Sequence, residues 1–142
     1  IKGATPFARP EGIISDNKSI FICCTSGGRL KKGQIWKLKP TSTNELLIEL
    51  WYEVQDKASL NMPDNITTAP WGDLIICEDN SDINRLWGLT SRGKPYLIAQ
   101  NSYTGSEFAG VCFSPIDNTM FVNLQWNGLT IRIDGNWNEV TN

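Results

Sequence analysis

Three times along the chain the same order of short segments recurs. One unit opens with Arg9-Pro10-Glu11-Gly12-Ile13, continues with the apolar run Ile20–Cys24, and then gives Gly33-Gln34-Ile35-Trp36-Lys37-Leu38. A second opens with Met62-Pro63-Asp64-Asn65-Ile66, continues through residues 74–77, and gives Asn84-Arg85-Leu86-Trp87-Gly88-Leu89. A third opens with Glu107-Phe108-Ala109-Gly110-Val111, continues through residues 120–123, and gives Gly128-Leu129-Thr130-Ile131-Arg132-Ile133. Starts at 9, 62 and 107 give periods of 53 and 45 residues, the range of four-stranded propeller blades. Residues 46–54 and 96–99 supply outer strands to the first two units, and the third stops before its own. No long amphipathic helical pattern interrupts them, and turn signals such as Ser26-Gly27-Gly28, Arg92-Gly93 and Asp134-Gly135 separate or close the runs.

A unit of this size is a small twisted sheet that cannot bury both faces alone, so the units must stack. The expected fold is all-β: a partial β-propeller of about two and a half to three four-stranded blades, one domain over residues 1–142. A β-sandwich with coincidental spacing is the alternative. So few blades do not close a ring. The sequence therefore predicts either a piece of a longer propeller or copies that complete one another as a homo-oligomer, with apolar areas covered at both ends. The chain begins at Ile1 rather than Met, which fits a processed product or an excised fragment.

Composition narrows the chemistry. With 40% hydrophobic residues in 142, a packed core is possible, and a net charge of −2 does not suit a polyanion-binding surface. Lys31-Lys32 is an isolated pair in a glycine loop, so no nucleic-acid patch is expected. The apolar runs fall far short of the roughly 20 residues of a membrane span. There is no histidine at all, which removes Ser-His-Asp and Cys-His nucleophiles and imidazole-based zinc sites. The four cysteines, Cys23, Cys24, Cys77 and Cys112, form no CxxC pair. Three of them sit in apolar runs, where a free cysteine behaves as a small buried hydrophobe. Chemistry must rest on carboxylates, Arg, Lys, Cys, Tyr or amides.

Two places could carry it. In an extended segment residues i and i+2 share a face, so Arg9 and Glu11 project together. Pro10 favours extension at Arg9, and Gly12 lets the chain turn. Such a pair serves either as a surface ion pair or as an anion clamp beside a metal ligand. Glu78-Asp79-Asn80 ends a buried-looking strand, and adjacent carboxylates there suit a hard cation such as calcium or simply an acidic turn. Gly27–Gly33 lacks the order of a phosphate loop. Trp71 and Trp126 line a pocket or serve packing. Asn17-Lys18-Ser19 and Asn65-Ile66-Thr67 match the glycosylation sequon by pattern only.

Phe7-Ala8-Arg9-Pro10-Glu11-Gly12, Pro63-Asp64-Asn65-Ile66, Ala69-Pro70-Trp71-Gly72-Asp73-Leu74-Ile75-Ile76-Cys77-Glu78-Asp79 and Glu107-Phe108-Ala109-Gly110-Val111-Cys112-Phe113-Ser114-Pro115 occur in that order. Together they resemble the C-terminal portion of the PhoX-type alkaline phosphatases, a bacterial group. The resemblance implies a β-propeller, export by the twin-arginine route to the periplasm or beyond, and hydrolysis of phosphomonoesters at an iron–calcium centre. It puts a phosphate contact on Arg9, a metal ligand on Glu11 and, by weaker correspondence, a calcium ligand on Asp79. The family's iron-bridging cysteine motif matches none of Cys23, Cys24, Cys77 or Cys112, so no iron ligand is carried over. The expected function is therefore that of a metal-dependent phosphatase's C-terminal part, inactive alone and binding metal weakly if at all. A non-catalytic propeller module for binding or assembly is the alternative.

Overall fold

The computed structural model describes residues 3–56 and 58–137. Its described residues form eleven antiparallel strands in three sheets. The first sheet holds β1 (Pro10–Ser15), β2 (Ile20–Cys24), β3 (Gln34–Pro40) and β4 (Leu46–Glu53), side by side in chain order. The second holds β5 (Pro63–Thr68), β6 (Leu74–Glu78), β7 (Arg85–Leu89) and β8 (Pro95–Gln100) in the same order. The third holds β9 (Phe108–Phe113), β10 (Met120–Leu124) and β11 (Leu129–Ile133). Each sheet begins at a repeat boundary read from the sequence, and β4 is a strand where a helix would have broken the repeat. No helix is long and apolar enough to cross a membrane among the described residues.

Stacking explains the run of apolar residues in β6, all of which are buried. Successive strand side chains point to opposite faces, and in the middle sheet both faces are covered. Leu74, Ile76, Trp87 and Leu89 pack against Phe21, Cys23 and Ile35 of the first sheet. Ile75, Cys77 and Leu86 pack against Phe108, Val111, Met120 and Val122 of the third. All four cysteines are free: Cys23, Cys24 and Cys77 are buried and Cys112 is exposed.

The two ends of the stack differ. On the outer face of the first sheet, Ile13, Ile22, Trp36 and Leu50 form one cross-strand row, and Ile20, Leu38 and Ile48 the next. Ile13 is 63% exposed and Ile48 50%. The outer face of the third sheet instead carries Phe121, Asn123, Thr130 and Arg132. There the Thr130 hydroxyl donates to Asn123 Oδ1 at 2.8 Å. Apolar areas were expected at both ends; the described residues form one, because the positions that are Cys23 and Cys77 in the other sheets are taken by Asn123 in the third.

The sheets meet most closely at their first strands. A Cβ on Gly12 would collide with the Asp64 carbonyl and crowd the Ile66 side chain. Gly12→Ala should therefore push β1 from β5 and lower stability by about 1–3 kcal/mol, seen as an earlier midpoint in urea. An unchanged midpoint would show that the two strands separate freely.

Candidate metal and phosphate site

Each sheet opens with the same backbone bond. Thr25 N–H donates to the Arg9 carbonyl at 3.0 Å, Asp79 N–H to Met62 at 2.9 Å, and Gln125 N–H to Glu107 at 3.1 Å. In the first two units the opening residue precedes a proline and has positive φ, 50° at Arg9 and 47° at Met62. A residue before proline is ordinarily extended, so the extension expected at Arg9 is not what the structure has. The bond from Thr25 holds the Arg9 carbonyl, and a β-bulge between Pro10 and Ile13 re-aims the side chains of β1. Arg9 and Glu11 still meet, but through a bulge rather than along a straight strand. Arg9 Nε donates to Glu11 Oε1 at 2.9 Å, and Nη2 lies 2.6 Å from the same oxygen.

Because β1 packs beside β5 and β5 beside β9, the three openings lie together. Asn65 ties two of them, its Oδ1 accepting the Gly110 N–H at 2.6 Å. Arg9 Nη2 reaches Asp79 Oδ2 at 2.8 Å. Carboxylate oxygens of Asp64, Asp79 and Glu107 all lie within 4.8 Å of one another. Glu11 shares a hydrogen bond with Asp64, and Asp79 with Glu107. Four carboxylates and one guanidinium from three sheets thus form one group.

Like charges this close resist ionising together. Burial, then the hydrogen bond and charge of Glu11, push the Asp64 carboxyl up to about 7. Burial and Asp79 raise that of Glu107. Hydrogen bonding to Asp79 leads the effects that raise the Arg9 pKa. All these donors are hard oxygens, a set that suits calcium. No thiol joins the group among the described residues, and burial holds the Cys23 thiol well above its ordinary value and that of Cys77 at about 12. The cluster therefore fits calcium and offers iron no thiolate.

Arg9, Glu11 and Asp79, singled out from the sequence, come together here. Glu78 does not, since strand alternation turns it to the opposite face. There it is buried, accepting the Asn61 N–H at 3.0 Å with Arg85 Nη1 at 3.8 Å. Trp71 stacks on Trp137 with ring centroids 5.2 Å apart, while Trp126 is 71% exposed. Asp64 and Glu107 escaped the sequence reading, although the repeat carried a signal. Asp64 stands where Glu11 does in its unit, and Glu107 where Arg9 does.

An acidic oxygen cluster with an arginine on its rim offers a hard cation and an anion places side by side. The profile of the family described as alkaline phosphatase PhoX matches residues 1–128, and the chain belongs to that family. Neither curated proteins nor solved structures gave a significant match.

The raised Asp64 carboxyl has a signed consequence. An unfolded aspartate releases its proton near pH 4, whereas Asp64 keeps its own until about 7. Between these values the folded chain binds a proton that the unfolded chain lacks, so Asp64 makes stability fall as pH rises from about 4 to about 7. Urea midpoints should drop between pH 5 and pH 8, and Asp64→Asn should shrink the drop. A full drop retained in Asp64→Asn would place its origin elsewhere.

Proposed function

We propose that this chain is the C-terminal part of a secreted, calcium- and iron-dependent PhoX-type alkaline phosphatase. It supplies one wall of a phosphomonoester hydrolysis site, in a propeller of which the three sheets are blades. The observation that carries this reading is the meeting of Arg9 with Glu11, Asp64, Asp79 and Glu107 inside a chain of that family. Glu11 and Asp79 act as calcium ligands, joined by Asp64 and Glu107. Arg9 directs its fork of N–H donors to the phosphate, where two parallel bonds both bind and orient it. Calcium, when bound, offsets the negative charge on the phosphoryl oxygens. No role toward iron is assigned to these residues.

Calcium takes about six to eight oxygen ligands, more than four carboxylates supply through one oxygen each. Residues 1–142 alone should therefore bind calcium weakly and turn over little phosphomonoester. The family's habit of export supports a periplasmic or extracellular location. The apolar outer face of the first sheet supports a covering partner, either a further blade of a longer chain or a second copy. The alternative of a non-catalytic module draws on no particular observation.

In a longer PhoX-type enzyme carrying this segment, Glu11→Gln should lower calcium content and activity together. Arg9→Ala should reduce kcat/KM for a phosphomonoester by about 10²–10³ with calcium retained. Parental rates in both variants would leave Arg9–Glu11 a surface ion pair and nothing more. For residues 1–142 alone, light scattering at micromolar concentration should find a dimer or larger. A monomer would count against an open stack with a bare apolar end.

A further inference from the structure

We infer that Arg9 is an internal counter-cation of the carboxylate cluster, and that a divalent cation binding there displaces its guanidinium from Asp79 and so frees it for phosphate. This rests on the site reading above and adds to it an order of events. The observation is a shared ligand. Asp79 Oδ2 accepts Arg9 Nη2 at 2.8 Å, and Asp79 also belongs to the triad whose oxygens lie within 4.8 Å of one another. Arg9 Nε and Nη2 are both engaged on Glu11 Oε1 as well. The Nε–Nη2 edge of the fork is thus already held by two carboxylates.

A guanidinium and a divalent ion cannot both draw on Asp79 without repelling each other across a few ångströms. The ion carries twice the charge and engages several carboxylates at once, so the arginine is the group that leaves. It has room to do so, its side chain being 45% exposed. The groups facing it are Glu11, Asp79 and Glu107, all acidic, so once the cation offsets them nothing on that side holds the guanidinium. A phosphate beside the cation then supplies the oxygens that Asp79 gave up. Cation and phosphate binding are coupled in this scheme, and by linkage each strengthens the other by the same factor. Arg9 also keeps the carboxylates from repelling one another before the cation arrives.

Calorimetric titration of calcium into the 142-residue chain, with no phosphate present, reads the competition. Arg9→Ala should bind calcium about fivefold or more tightly than wild type, with Arg9→Lys between them. In wild type, the Arg9 Nε–H resonance should shift and exchange faster with solvent as calcium is added. Inorganic phosphate added next should restore its protection. Circular dichroism melts establish that the variants are folded, and if Arg9→Ala is not, the wild-type Nε resonance decides alone. Equal or weaker calcium affinity in folded Arg9→Ala, or an Nε resonance indifferent to bound calcium, overturns the displacement and leaves the cation site standing. The titration runs to calcium concentrations on the order of 10 mM, which covers the weak binding expected of this segment alone; no uptake by either protein over that range overturns the site reading, and the displacement with it.

Discussion

Burial of the middle sheet on both faces is the constraint on which the rest of the molecule depends. Leu74 and Ile76 look one way and Ile75 and Cys77 the other, each pair into a separate core. A strand apolar on both sides cannot face water on either, so a sheet must stand before it and another after it. That stacking fixes how the first strands of the three sheets lie together. Gly12 permits the closest approach, and the bond from Gly110 to Asn65 ties the next one.

The carboxylate cluster is a by-product of this stacking that electrostatics makes costly. Four carboxylates at the strand openings repel one another, and the fold answers with two devices. Burial and the neighbouring acids keep protons on Asp64 and Glu107 to higher pH. Arg9 brings in a positive charge, bridging Glu11 and Asp79. In the function proposed above, both devices would give way to a hard cation, with protons released as it binds.

The repeat accounts for how such a group arises. One backbone bond recurs at each sheet opening, from Thr25 to Arg9, Asp79 to Met62 and Gln125 to Glu107. The positions around it are therefore presented three times to the same place. The chain fills them unevenly: an arginine at the first opening, an acid at the third, acids two residues on in the first two units. The chain belongs to the alkaline phosphatase family over residues 1–128, and in the function proposed for it both signs of charge serve one phosphate site.

Much of this was legible in the sequence, and the divisions are physical. The strand runs, their order and the three starting points come from local rules of alternation and turn chemistry, which each segment carries by itself. So does the burial of Cys23, Cys24 and Cys77, set in apolar runs. Arg9, Glu11 and Asp79 were visible because they sit in recognisable local motifs. The extension expected at Arg9 failed because a long-range bond from Thr25 overrides the preference that Pro10 imposes on its neighbour. The polar outer face of the third sheet could have been read from Asn123 and Thr130 only once the register of β10 with β11 was known. Asp64 and Glu107 belong to the site solely because β1, β5 and β9 converge. Glu78 leaves it because the pleat turns it away. What the sequence by itself determined is the list of strands and the chemistry available. Only the tertiary structure decided which side chains meet, because the stacking of whole sheets, and not the spacing of residues, sets distances between groups more than forty positions apart.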